Sequence, residues 1–383
     1  MRIQRGYRRS GCLPMKLFTG IVFGMLVASL AWLLGNRSLS LPTPRTSLGS
    51  AYGAFEAGDL DTTVQLARRV WNSEQDNIEA LALLVRALIY RSYDEYNRSS
   101  DREEALLLTT RAYNRSSTDP AVLSLHAFAL YSSERPGEAL RLAEQALSRD
   151  PENTLAQMTT ALVYGRFGSH ERAVLEHQPT LFDPRWRLDT HRALAISLGN
   201  AGRFDEAMRA VDVAIEVNPH LLVLHFERAF YAMQAGDADA ATASYFRILA
   251  DHAANIKARL RLCELSTLLR ETTTALHYCQ EVTTLAPQWV DGWYRLGREY
   301  YLQGNFAQAQ QAFHQCSTLS IRQNIPVEQR RFDCWYLQGQ AAEVLGDCPT
   351  LMAVYSEFQA MSAIASIPQT WTYPPEGPAI CLQ

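Results

Sequence analysis

The sequence predicts an all-α fold, a solenoid of about nine stacked helical hairpins preceded by one apolar helix near the N-terminus. Three observations predict it. Turn-forming glycines recur at one interval along much of the chain, apolar residues between them repeat at three and four positions, and 19 consecutive residues near the start carry no charge.

The uncharged run comes first. Arg2, Arg5, Arg8, Arg9, Lys16 and Arg37 give residues 1–37 a charge of +6 with no acid, so the formal net charge of −4 leaves −10 on the rest of the chain. That distribution offers no basic field to nucleic acid, and none is expected as a partner. Leu17–Gly35 as a helix at about 1.5 Å per residue spans roughly 28 Å, the thickness of a bilayer core. Residues 17–35 are therefore expected to be a transmembrane helix or signal anchor. The basic tail, 1–16, then stays in the cytoplasm and the bulk of the chain is extracytoplasmic. Cleavage after Ser29-Leu30-Ala31 as a signal peptide is the alternative. Cys12 lacks the preceding apolar residues of a lipoprotein signal, and residues 36–46, with Pro42 and Pro44, read as an extended linker.

Residues 47–365 carry the repeats. Gly168, Gly202 and Gly236 are 34 residues apart, Gly304 lies two such intervals further on, and each is followed five residues later by an alanine: Ala173, Ala207, Ala241 and Ala309. Pro120, Pro151, Pro184, Pro219 and Pro287 keep nearly the same interval, and proline opens a helix without losing a hydrogen bond. In the most regular unit Trp293, Leu296 and Tyr300 line one helical stripe, Gly304-Asn305 breaks it, and Phe306, Ala309 and Phe313 resume it. Gly297 is expected opposite Ala309, where two backbones approach closely.

The spacing Trp293-x2-Leu296-Gly297-x2-Tyr300-x3-Gly304-x-Phe306-x2-Ala309-x3-Phe313 resembles the tetratricopeptide repeat, a helical hairpin of about 34 residues. Four or five units follow that spacing well and the others in part, with Arg270 in place of one turn glycine and Ile321 where the family has its final proline. Extra residues enter near Tyr90 to Asp101 and around Arg322 to Arg331. The resemblance implies a right-handed superhelix whose first helices form a concave, partner-binding groove. No repeat buries its own faces alone, so stability is shared between neighbours. The tail, 366–383, is too rich in proline for a helix. Its Trp371, Tyr373 and Cys381 suggest a cap that packs back on the last unit.

Residues one turn off the packing stripe are expected in the groove: Arg192, Phe226, Phe230, Arg261, Glu264, Tyr294, Arg298, Tyr301 and Tyr336. Aromatics interleaved with arginines suit an extended or helical peptide. Phe226 and Phe230 read equally well as core between repeats. The chain has no phosphate-binding loop, nucleophile elbow, His-Glu-x-x-His or Cys-x-x-Cys, so no enzymatic activity, cofactor or metal is expected. Six of the seven cysteines fall in the last third of the chain, an even count that suits an oxidising compartment. The expected pairs are Cys263 with Cys279 across one hairpin, Cys316 with Cys334 around the second insertion, and Cys348 with Cys381 tying down the tail. Buried free thiols are the alternative. Together these readings describe a membrane-anchored, extracytoplasmic scaffold or assembly factor for a protein or peptide. A thiol-active or metal-binding secreted protein, or an accessory subunit of an envelope enzyme, is the other class.

Overall fold

The computed structural model describes residues 48–94, 99–366 and 370–382. The expected basic N-terminal tail, transmembrane helix and linker lie outside them. Among the described residues no helix is long and apolar enough to cross a membrane, and no strand occurs.

Among the described residues nine helical hairpins follow one another. The first six are α1 (Leu48–Glu56) with α2 (Leu60–Ser73), α3 (Ile78–Asp94) with α4 (Ser99–Arg115), α5 (Pro120–Ser132) with α6 (Pro136–Leu147), α7 (Thr154–Arg166) with α8 (His170–His177), α9 (Arg187–Asn200) with α10 (Phe204–Val217), and α11 (Leu222–Ala235) with α12 (Ala238–Asp251). The last three are α13 (Ile256–Leu268) with α14 (Thr272–Leu285), α15 (Val290–Leu302) with α16 (Phe306–Arg322), and α17 (Asp333–Leu345) with α18 (Cys348–Ser362).

The turn inside each hairpin explains the interval in the sequence. Glu134, Gly168, Gly202, Gly236, Arg270 and Gly304 stand 34 residues apart and all have positive φ, between 61° and 86°. Glycine adopts that left-handed conformation without a steric cost, and Glu134 and Arg270 adopt it because the packed helices on either side leave the turn no other route. Arg270 therefore preserves the turn that its side chain seemed to compromise. Entry into the next helix is fixed by side-chain caps, as when Asp237 accepts from Ala240 N at 2.9 Å and Asn255 from Ala258 N at 2.8 Å.

Second helices bury a single stripe, for example Ala207, Ala210, Val211 and Ala214 on α10. Several first helices are different. Val122 to Leu130 of α5 are all buried, because that helix is covered by neighbours on its outer side and by the interior of the stack on the other.

The interior closes because the stack curves far enough to meet itself. Asn218 Nδ2 donates to Phe55 O at 2.8 Å, Lys257 Nζ donates to Tyr93 O at 2.6 Å, and Gly58 packs directly on His220. The first six hairpins, with Lys257 at the start of the seventh, thus form a closed ring. Repetition at 34 residues does not announce this closure, and it was not among the expectations.

The seventh to ninth hairpins extend from the ring. Cys263 is bonded to Cys279, Cys316 to Cys334 and Cys348 to Cys381, with Cα atoms 5.3, 5.9 and 5.4 Å apart. The tail packs back through Trp371, which is 5% exposed and meets Tyr336, Tyr355 and Phe358 edge-on. Its indole occupies the space that a Cβ on Gly339 would need. One packing expectation is corrected. A side chain at Gly297 would meet the Phe313 ring at 2.7 Å, not Ala309, because the aromatic rather than the alanine methyl fills the gap between α15 and α16.

Candidate binding surface

First helices line the inner side of the stack, and ring closure divides that side into two regions of different chemistry. Inside the ring the surface is filled by its own charged groups. Arg86 on α3 donates through Nη2 to Asp189 Oδ2 on α9 at 2.6 Å and through Nε to Oδ1 at 3.2 Å, while Tyr90 OH donates to the same Oδ1 at 3.0 Å. The Arg86 guanidinium also lies 4.9 Å from the Phe55 ring and 5.1 Å from Trp186. Burial alone would lower the Arg86 pKa, but Asp189 and Tyr90 hold it above its ordinary value. Burial and the Asp189 charge push the Tyr90 phenol well up, so it remains a donor.

One turn further along α9, Arg192 donates through Nη2 to Glu227 Oε1 at 2.6 Å and lies about 5 Å from the rings of Tyr90 and Tyr93. It faces inward as expected, yet it is 8% exposed and its guanidinium is occupied by Glu227 rather than presented to a ligand. These groups cross the ring and separate a cavity of about 220 Å³, bordered by Tyr93, Tyr131, Arg166 and Arg192, from a cleft of about 660 Å³ at the opposite mouth.

The second region is the inner face of α11, α13, α15 and α17. Phe226 is half-buried against Tyr245 with the Lys257 ammonium 4.2 Å from its ring centroid, so it serves the core between repeats. Phe230 is 55% exposed. Glu264 bridges two arginines, accepting from Arg261 Nη1 at 2.6 Å and pairing with Arg295 Nη2 at 2.8 Å. Tyr294 is only 8% exposed and is covered rather than open, because the guanidinium carbons of Arg331, Arg295 and Arg298 stand 4.4, 5.5 and 5.9 Å from its centroid. Arg331 is fixed by Asp291 at 2.6 Å, whereas Arg298 forms no ion pair with a carboxylate among the described residues. The neighbouring Glu299 is buried, accepts from Thr267 Oγ1 at 2.5 Å, and has its pKa raised by that burial. Tyr301 packs edge-on to Phe306 and Tyr336 edge-on to Trp371, each half-buried with one side toward solvent.

Of the nine expected groove residues, Phe230, Arg261, Glu264, Arg298, Tyr301 and Tyr336 therefore contribute accessible surface on this face. Two contributors were not foreseen, Arg295 and Arg331. Arg295 follows Tyr294 directly in sequence, and that adjacency was an available signal, whereas Arg331, at the end of the second insertion, is brought to the ring only by the fold. Among the described residues no group of three histidine, cysteine or acidic side chains is placed to hold a metal ion.

Comparison with known proteins identifies one of the repeats. Residues 290–320 match a family model for the tetratricopeptide repeat. The solved APC/C hetero-tetramer Cut9-Hcn1 is similar at a TM-score of 0.54 and 12% identity, covering 81% of this chain; the chain spans 58% of the matched chain's length. Human IFIT1 with PPP-AAAA gives 0.48 at 14% identity over 69% of each chain, and the type IV pilus biogenesis factor PilW gives 0.45 at 18% over 54% of this chain and 94% of that one. A search of curated proteins found no match. Of these likenesses only the one to Cut9-Hcn1 bears on the fold, and none bears on a ligand. The described residues form an all-α solenoid of tetratricopeptide-like repeats.

Proposed function

We propose that this chain is a membrane-anchored, extracytoplasmic scaffold that holds a protein or peptide partner along the inner face of α11, α13, α15 and α17. Repeats of this type generally mediate protein–protein interaction and assembly. The observation that carries the reading is the cluster of three guanidinium groups around Tyr294, of which Arg298 has no carboxylate partner among the described residues, together with the accessible rings of Phe230, Tyr301 and Tyr336. Aromatic and arginine side chains in one concave surface are the residue types that anchor partners, and unpaired positive charge selects an acidic or carboxylate-bearing segment.

The anchor rests on the uncharged run Leu17–Gly35 and the basic residues before it, and the compartment on the charge asymmetry and the six paired cysteines. Affinity capture with the full-length chain tests the scaffold. Arg298→Gln, which removes the charge and keeps most of the side chain, is expected to lose the captured partner with little change in melting temperature, and retention of the partner by this variant refutes the assigned face. A reporter fused after Gln383 tests topology. Activity of a reporter that works only in the cytoplasm would overturn the assigned orientation.

A further inference from the structure

The cleft of about 660 Å³ at the mouth of the ring is separate from the face described above and has the opposite charge. Its floor is apolar, built by Ala82 and Leu83 on α3, Leu125 on α5 and Leu155 on α7, and its walls include Tyr52 and Trp186. Five residues on its lining carry charge. Two are arginines: Arg86 is buried and held by Asp189 at 2.6 Å, and Arg185 points largely into solvent with a 3.4 Å contact to Asp183. The other three are Glu79, Asp150 and Glu152, and none of them pairs with a cation among the described residues. Glu79 accepts only the Tyr52 hydroxyl at 3.2 Å, and Asp150 only Asn153 Nδ2 at 3.3 Å.

These carboxylates stand near the N-terminal ends of α3 and α7, where they offset the helix dipoles, and the same placement leaves their charge on the rim of an apolar cleft. The combination of an apolar floor, aromatic walls and unpaired carboxylates is complementary to a side chain with an apolar stem and a cationic head. It is not complementary to an anion. The cleft also reaches residues of five helices or their leading turns, from α1 to α9, so only an extended occupant contacts all of it.

We propose that this cleft binds a basic, partly apolar protein segment, with lysine or arginine heads among Glu79, Asp150 and Glu152 and the apolar stems and neighbours on the floor. The choice of a peptide as occupant rests on reading the chain as a scaffold, but the site does not use the α11–α17 face.

The test measures binding of a short fluorescein-labelled peptide of alternating leucine and arginine to the full-length chain, by fluorescence polarisation at low and at physiological salt. The double variant Glu79→Gln, Glu152→Gln changes two exposed side chains without altering their shape, so the melting temperature serves as a control for folding. Binding is expected to weaken about tenfold in that variant, the loss that follows from two partly solvated charge contacts. It should weaken with salt in the wild type, and an alternating leucine and glutamate peptide should not compete. Arg298→Ala should leave it unchanged. Equal affinity of the double variant overturns the site. A loss in Arg298→Ala assigns the binding to the other face and overturns it as well, and full displacement by free spermine shows a site that reads charge alone and overturns the peptide. Failure of affinity capture with Arg298 intact would instead count against the scaffold face and leave these arms readable.

Discussion

Arg86 and Asp189, 103 residues apart in sequence, face each other inside the ring with a charge-assisted contact of 2.6 Å, and both side chains are almost fully buried. Removing one member leaves the other charge buried without its partner. Asp189→Leu alone is expected to destabilise the chain by about 3 to 5 kcal/mol, while Arg86→Met with Asp189→Leu should recover most of that loss. Urea denaturation of the three proteins checks it; a double variant as unstable as the single one would show that the pair does more than satisfy its own charges.

A second expectation concerns close packing. Phe313 is fully buried and its ring would be 2.7 Å from a Cβ at position 297, so neither helix can yield cheaply. Gly297→Leu should cost about 1 to 3 kcal/mol through overpacking. An unchanged melting temperature would contradict the contact between α15 and α16.

The tail offers a third. Trp371 is enclosed by Tyr336, Tyr355, Phe358 and Tyr373, and Gln359 Nε2 donates to its carbonyl at 2.5 Å. Trp371→Ala should cost about 3 to 5 kcal/mol locally. Hydrogen exchange should then accelerate in α17 and α18 and stay unchanged in α3 to α9. Acceleration in all these helices alike would mean that the tail stabilises the whole stack.

The disulfides give a fourth. Mapping of peptides without reduction should recover Cys263 with Cys279, Cys316 with Cys334 and Cys348 with Cys381. Closing a loop of 16 residues contributes about 3 kcal/mol in the chain-entropy account, so Cys263→Ser with Cys279→Ser should lower stability by a similar amount. Free thiol at both positions in exported protein would contradict the first bond.

Acid should loosen the ring through buried histidines. Burial lowers the His177 pKa to about 3 and, with the Arg135 charge, lowers that of His126 to about 4. His177 contacts Ser197 Oγ at 3.1 Å through Nε2, and its Nδ1 has no hydrogen-bond partner among the described residues. A histidine whose folded pKa lies below its unfolded value near 6.5 contributes stability above that value and loses it as pH falls toward the folded pKa. Between pH 6.5 and pH 4, His177→Gln should therefore show a shallower fall of unfolding free energy than the wild type. An identical slope in both would remove His177 from the acid response.

The repeats were legible because each hairpin turn has the same local requirement. A left-handed residue at one place in every unit leaves glycine at Gly168, Gly202, Gly236 and Gly304, and an alanine five positions later marks where the helices touch. The closed ring was not legible. Asn218 and Phe55 or Lys257 and Tyr93 are more than 160 residues apart, and nothing in a local period specifies how much each unit rotates relative to the last. That single unread quantity explains part of why Arg192 was assigned to an open groove: Glu227 reaches it from the next hairpin, one repeat interval away, but the arrival of Tyr90 and Tyr93 follows from curvature. Tyr294 is covered where an accessible ring was expected, since Arg331 reaches it from the segment leading into the following hairpin.

The contact between Asn218 and Phe55 also has a consequence in time. A chain made from its N-terminus presents α1 and its turn long before residues 218 to 257 exist, so Phe55 and Gly58 wait without the partners that cover them in the finished molecule. Loop closure over such a separation is entropically slow compared with pairing inside one hairpin. The ring must therefore shut late, after six hairpins are in place, and a nascent chain halted before Asn218 holds its first hairpin uncovered, available to a chaperone or to the corresponding edge of a second chain.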